Sequence, residues 1–94
     1  MNRLLDSFCR YARVDTMAAE GAKTYPSSPG QLELGRLLAE ELRQMGAMEV
    51  EQTADGIVFA TIPASAGVIA PTIALIAHVD TSPETSGHGV KPVV

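Results

Sequence analysis

Thr72-Ile73-Ala74-Leu75-Ile76-Ala77-His78-Val79-Asp80-Thr81-Ser82 is apolar at nearly every position until it meets a histidine and an aspartate. An uncharged run of this kind reads as a strand covered on both faces, as in a sheet with helices packed against it. In open α/β sheets ligands bind where strands reach their carboxyl ends, because the loops there surround a crevice on a rigid base. His78 and Asp80 are two residues apart, so extended backbone projects both to one side. A neutral imidazole is a good zinc ligand, and a nearby carboxylate can hold the ring's other nitrogen. The same tripeptide also fits an ordinary strand-end histidine followed by an aspartate that forms a turn. Thr81 and Ser82 then end the strand or cap the next segment.

Working back from this stretch, no residue between Asp55 and Asp80 carries a formal charge. Pro63, Ser65, Gly67 and Pro71 interrupt the middle, leaving apolar halves far shorter than the roughly 20 residues that cross a bilayer. Residues 57–62 and 72–77 are therefore predicted as two strands joined by a loop. Upstream, Met48-Glu49-Val50-Glu51-Gln52 alternates apolar and polar as a half-buried strand does. Asp55-Gly56 then predicts a hairpin turn, since both residues can reach positive φ.

Two helices precede the strands. Residues 2–13 place Leu4, Leu5, Phe8, Tyr11 and Ala12 on one face, with Arg3, Asp6, Arg10 and Arg13 opposite. Cys9 lies beside that stripe and reads as a small, semi-buried thiol. Periodicity disappears over residues 14–28, a long loop of the kind that is often functional or mobile. The second helix, residues 29–45, opens with Ser28 as N-cap, Pro29 in the first helical position, and Gln31 completing a capping box. Leu34, Leu38, Leu42 and Met45 form its apolar face, widened by Leu32 and Leu37. Glu33, Glu40, Glu41 and Arg43 take the wet side, and Gly46 supplies a left-handed stop. Glu40 and Glu41 accordingly read as a solvated face rather than a catalytic pair. The element order suits an α/β layer.

Composition bounds the function. The chain has 94 residues, 46% hydrophobic, 19% charged and 4% aromatic, with a formal net charge of −4. This is the size of one small domain or part of a larger one. Scattered charges with an acidic balance leave no basic stripe to neutralise a phosphate backbone, which disfavours nucleic-acid binding. One cysteine cannot form an internal disulfide, and the first residues lack a secretory signal pattern, so the expected compartment is the cytoplasm. His88, in Gly87-His88-Gly89, reads as an exposed loop histidine without a carboxylate neighbour in sequence. No Gly-rich phosphate loop, Cys-x-x-Cys pair or Gly-x-Ser-x-Gly elbow occurs in the chain.

The run Ala77-His78-Val79-Asp80-Thr81-Ser82-Pro83 resembles the His-x-Asp signature of the M20 clan of co-catalytic zinc aminopeptidases and carboxypeptidases. Further stretches narrow the resemblance to the clan's tripeptide aminopeptidases. These are Arg3-Leu4-Leu5-Asp6 with Phe8, Val14-Asp15-Thr16, Pro26-Ser27-Ser28-Pro29-Gly30-Gln31, Met45-Gly46, and Ala60-Thr61-Ile62-Pro63-Ala64. His-x-Asp alone is weak; the ordered set, running from Met1 to Val94, is strong.

The resemblance implies a fold and a chemistry. The fold would be α/β, with helices packed on a mixed sheet that is incomplete. Residues 1–94 would be the N-terminal portion of a catalytic domain, without its remainder and without a dimerisation or lid domain. His78 would be a ligand to one of two zinc ions, and Asp80 the catalytic-site residue that orients and polarises it. The family's bridging aspartate, glutamate pair, further acidic ligand and late histidine have no counterparts here, so at most one zinc ligand is present. The implied reaction is removal of the N-terminal residue of a tripeptide by a metal-activated water, a glutamate acting as general base. The 94-residue chain alone would be inactive. The implied partner is a small peptide substrate, with no nucleic acid and no membrane; oligomeric state and substrate-binding residues are left open. Two alternatives remain: a non-catalytic α/β interaction module, whose sheet would expose an unpaired edge and an apolar face, and another M20-type peptidase or acylase.

Overall fold

The computed structural model describes residues 2–94. Met1, where the expected 1–94 domain portion starts, lies outside the described residues. Helix α1 spans Arg3–Ala12 and α2 spans Pro29–Gln44, followed by strands β1, Met48–Gln52, and β2, Val58–Thr61. The two strands form an antiparallel hairpin, and α2 packs across it, giving a small α/β arrangement. Parallel pairing also occurs, as a single bridge between Met17 and Thr81.

Helix α1 starts where the Asn2 side chain accepts hydrogen bonds from the backbone N–H groups of Leu4 and Leu5, at 3.1 and 3.3 Å. These satisfy two of the donors that a helix start leaves without partners. The apolar stripe is present, but Leu4 and Phe8 on it are exposed and no residue of α1 is buried. What fastens α1 to α2 is polar. The Tyr11 hydroxyl donates to Glu41, and the Arg10 guanidinium forms an ion pair with the same carboxylate. The sequence reading of Glu41 as part of a solvated face is thereby corrected, whereas Glu40 stays exposed beside Arg43 and Gln44. The hydrogen bond from Tyr11, with Arg10 adding to it, holds the Glu41 carboxyl below the usual carboxylate range. Burial, reinforced by Glu41, pushes the Tyr11 hydroxyl up.

Helix α2 ends as expected. Gly46 adopts φ +87° and donates to the Arg43 carbonyl, while Ala47 donates to that of Leu42, both at 3.0 Å. That pair of bonds satisfies carbonyls left over at the helix end. Its start differs from expectation. Ser28 has the extended backbone of an N-cap, but its side chain makes no capping bond and its Oγ is buried without a partner. No capping box forms, because the Gln31 amide is used elsewhere.

The buried face of α2 also differs. It consists of Gln31, Leu34, Gly35 and Ala39, with Ala39 only 2% exposed, while Leu38 and Leu42 are half-buried and Met45 is exposed. Small residues decide this. A Cβ at Gly35 would sit 2.4 Å from Nε2 of Gln52 and 3.4 Å from a methyl carbon of Val58, so side chains of both strands reach the helix there. The same Gln52 amide donates to the Leu32 carbonyl at 2.9 Å, tying β1 to α2.

In the hairpin, only Gly56 of the expected Asp55-Gly56 turn adopts positive φ, at +87°. Gly56 donates to the Thr53 carbonyl at 3.0 Å and Thr53 to that of Ile57 at 2.8 Å. The connection is thus the three-residue kind closed by one left-handed glycine. Within β1, Glu49 has φ +52° and the register shifts between Met48 and Glu51, which marks a bulge.

The largest departure is the stretch predicted as the buried strand. Residues 72–77 form no strand, and among the described residues no backbone–backbone hydrogen bond involves residues 69–80. Ile73, Leu75 and Ile76 are exposed, Leu75 by 95%. A strand needs a neighbour's backbone groups to pair with, and no described segment lies alongside. The protein therefore exposes 7687 Å², against about 5,200 Å² for a compact monomer of its mass. Its radius of gyration is 15.4 Å, against about 12 Å for a compact chain of this length.

Candidate functional site

The predicted pair is intact although its strand is not. His78 Nδ1 lies 2.9 Å from the Asp80 carbonyl oxygen and 3.0 Å from Asp80 Oδ1. Two acceptors converging on one ring nitrogen select the tautomer protonated there, which leaves Nε2 as a free lone pair. The His78 side chain is 85% exposed, so Nε2 is accessible. Such a nitrogen, its partner hydrogen-bonded to a carboxylate, is the donor arrangement found around protein-bound zinc.

The residue after Asp80 anchors this pair. Thr81 N donates to the Thr16 carbonyl at 3.2 Å, and Ala18 N donates to the Thr81 carbonyl at 2.9 Å. The loop over residues 14–28 thus runs beside residue 81 in a short parallel pairing. Thr16 is only 3% exposed. Its carbonyl accepts a second hydrogen bond, from Gln31 Nε2 at 3.2 Å; the same amide donates to Ser27 Oγ at 3.1 Å. The start of α2 presses on the loop so closely that a Cβ at Gly30 would lie 1.7 Å from the Asp15 carbonyl oxygen. Glycine is needed there for lack of space.

Asp15 contributes its side chain as well. Oδ1 accepts from Met17 N at 3.1 Å, and Oδ2 lies 4.0 Å from Nδ1 of the exposed His88. His88, without an acidic neighbour in sequence, has one in space. Ser82 Oγ accepts from Glu84 N at 3.3 Å, capping the turn after the pair. Cys9 is a half-buried free thiol. Sequence reasoning does not mark Thr16, Gln31 or Asp15 as site residues. The one signal it offers is Gln31, a polar side chain on the inward face of α2, one turn before Leu34.

Among the described residues, no three His, Cys, Asp or Glu side chains gather as a metal site would require. No helix of the described residues is long and apolar enough to cross a membrane.

Comparison with known proteins bears on the same residues. No family model matches the chain. It is 45% identical to a peptidase T of Shouchella clausii over 97% of its own length and 22% of that relative's. It is 42% identical to peptidase T of Bacillus thuringiensis and of Bacillus cereus, again over 97% of this chain and 22% of theirs. The chain spans about a fifth of the length of these curated relatives. Within that span it is a homologue of peptidase T, matched along nearly its whole length.

Proposed function

We propose that the chain contributes the first metal ligand of a zinc-dependent M20-type aminopeptidase that removes the N-terminal residue from tripeptides. The observation that carries the reading is the His78 ring, held by Asp80 through Nδ1 and open at Nε2. The homology to peptidase T supports the reaction class. The donor set fits one zinc ligand with its orienting carboxylate. Zinc bound there, paired with a second ion, would polarise the scissile carbonyl and activate a water. The chain's own part is narrower. His78 offers one neutral nitrogen, Asp80 keeps the proton on the other, and Thr81 ties both to the body of the fold. The remaining ligands and the general base fall outside what these residues supply, so the 94-residue chain alone is inactive in this reading. A cytoplasmic location fits the single cysteine.

The test uses the complete gene product. His78→Ala is expected to abolish zinc-dependent release of the N-terminal residue from a tripeptide. Full turnover by that variant with zinc at normal occupancy overturns the proposal.

A second reading, a non-catalytic interaction module, is favoured by the exposed apolar run containing Ile73, Leu75 and Ile76. A soluble 94-residue chain that melts cooperatively as a monomer supports the module. Aggregation counts against it.

A further inference from the structure

We infer that Gln31 is a positioning residue for the His78 imidazole, acting through Thr16 and the peptide bond between Asp80 and Thr81. The inference rests on the proposed role of His78 and adds a residue that lies on a different element, far away in sequence.

One chain of hydrogen bonds links the two residues. Gln31 Nε2 donates to the Thr16 carbonyl, and Thr81 N donates to that same oxygen, each at 3.2 Å. The Thr81 N–H belongs to the planar unit that also contains the Asp80 carbonyl. In a trans peptide these two groups point in opposite directions. With the N–H aimed at Thr16, the Asp80 carbonyl is aimed away from it, at His78 Nδ1, 2.9 Å distant. The orientation of this one peptide plane thus sets an acceptor for the ring proton, and the plane is held by the carbonyl that Gln31 holds. A carbonyl oxygen has two lone pairs, so Thr16 accepts both bonds at once, and Gln31 fixes the position of the acceptor that Thr81 uses. Both Gln31 and Thr16 are buried, at 6% and 3% exposure. A buried amide also has to find partners or lose stability. Gln31 finds two, both on the loop that runs beside Thr81, and neither belongs to its own helix end. A glutamine that merely capped α2 would have turned back to Ser28, and this one does not.

The measurement is the tautomeric state of His78, read from its ring 15N shifts at fixed pH, together with hydrogen exchange of the Thr81 amide. Gln31→Met keeps length and apolar volume but removes the donor. Gln31→Glu keeps shape but offers the Thr16 carbonyl only an acceptor at neutral pH. Leu42→Ala, on the same helix but outside the chain of bonds, controls for lost stability. The native protein is expected to hold His78 in the Nδ1–H form with a protected Thr81 amide. Both Gln31 variants are expected to shift the ring toward the Nε2–H form and to speed Thr81 exchange by roughly tenfold, the equivalent of one hydrogen bond. Leu42→Ala is expected to leave the tautomer unchanged. An unaltered His78 tautomer in folded Gln31→Met overturns the inference. So does an unprotected Thr81 amide in the native protein, a result that needs no variant to fold. Zinc added to the native protein separates this idea from the one beneath it. A silent His78 there removes the metal reading and leaves the tautomer result standing.

Discussion

The two halves of this molecule obey different rules. Residues 29–61 form a helix laid on a hairpin, with Leu34, Gly35 and Ala39 closed against the strands. Residues 62–94 hold no helix or strand and are exposed apart from Val79, Gly87 and Pro92. Yet the second half carries the candidate site. Apolar content does not separate them, since 72–77 is the most apolar stretch of the chain. What separates them is whether the backbone finds partners. In the second half it does so chiefly at Thr81, next to Asp80. Local order at the site is therefore borrowed from outside it, through Thr16 of the loop before α2 and Gln31 of α2 itself.

The contrast breaks most readily at Gly30. Gly30→Ala drives a methyl group into the Asp15 backbone, where only a main-chain shift can relieve it. The expected loss is about 3 kcal/mol, the upper end for overpacking, measured by chemical denaturation. Freed exchange at Thr81 should accompany it. A neutral Gly30→Ala would show that the loop is not clamped on α2.

Next in size is Leu34→Ala, in the small core between α2 and the hairpin. Its burial predicts a loss of about 2–3 kcal/mol. The test is a shifted denaturation midpoint with an unchanged slope.

Smaller still is the polar joint between the helices. Glu41→Gln keeps the shape and removes the charge that Tyr11 and Arg10 share. With Arg10 half in solvent, about 0.5–1 kcal/mol is expected. The two shifts set the pH dependence. Glu41 is held low, so its contribution is complete above the ordinary carboxylate value, about 4.3, and is lost as pH falls through the folded value. Tyr11 is raised, so its contribution is complete below about 10 and is lost as pH rises through the folded value. Melting temperature against pH should fall on both flanks in the native protein, and the acid limb should flatten in Glu41→Gln.

What the sequence makes legible divides along the same line. The limits of α2 are readable because Pro29 and Gly46 act locally. Spacing alone puts His78 and Asp80 within reach of one another. The burial of Ala39 in place of Leu38 and Met45 is not readable, and Gln31 shows only its place one turn before Leu34. Where the hairpin docks depends on Gly35 making room for Gln52, a contact between distant segments. The strand expected at 72–77 fails for a related reason. Its apolar pattern describes the surface a strand would bury, and pairing depends on a neighbour that no residue pattern supplies. Thr16 cannot be recognised as an anchor for Thr81 until the loop is placed.

The smallest expected effect lies in that exposed run. Leu75→Ser in the 94-residue chain should change stability by less than about 0.5 kcal/mol, since the side chain touches little. A loss of several times that size would mean that the second half packs after all.

The most direct measurement is a zinc titration of the protein followed at the ring nitrogens of both histidines. His78 Nε2 is expected to shift while Nδ1 keeps its proton against Asp80, and His88 beside Asp15 is expected to stay silent. Zinc taken up by His88 with His78 unmoved, or loss of the Nδ1 proton as the ion binds, would contradict this expectation.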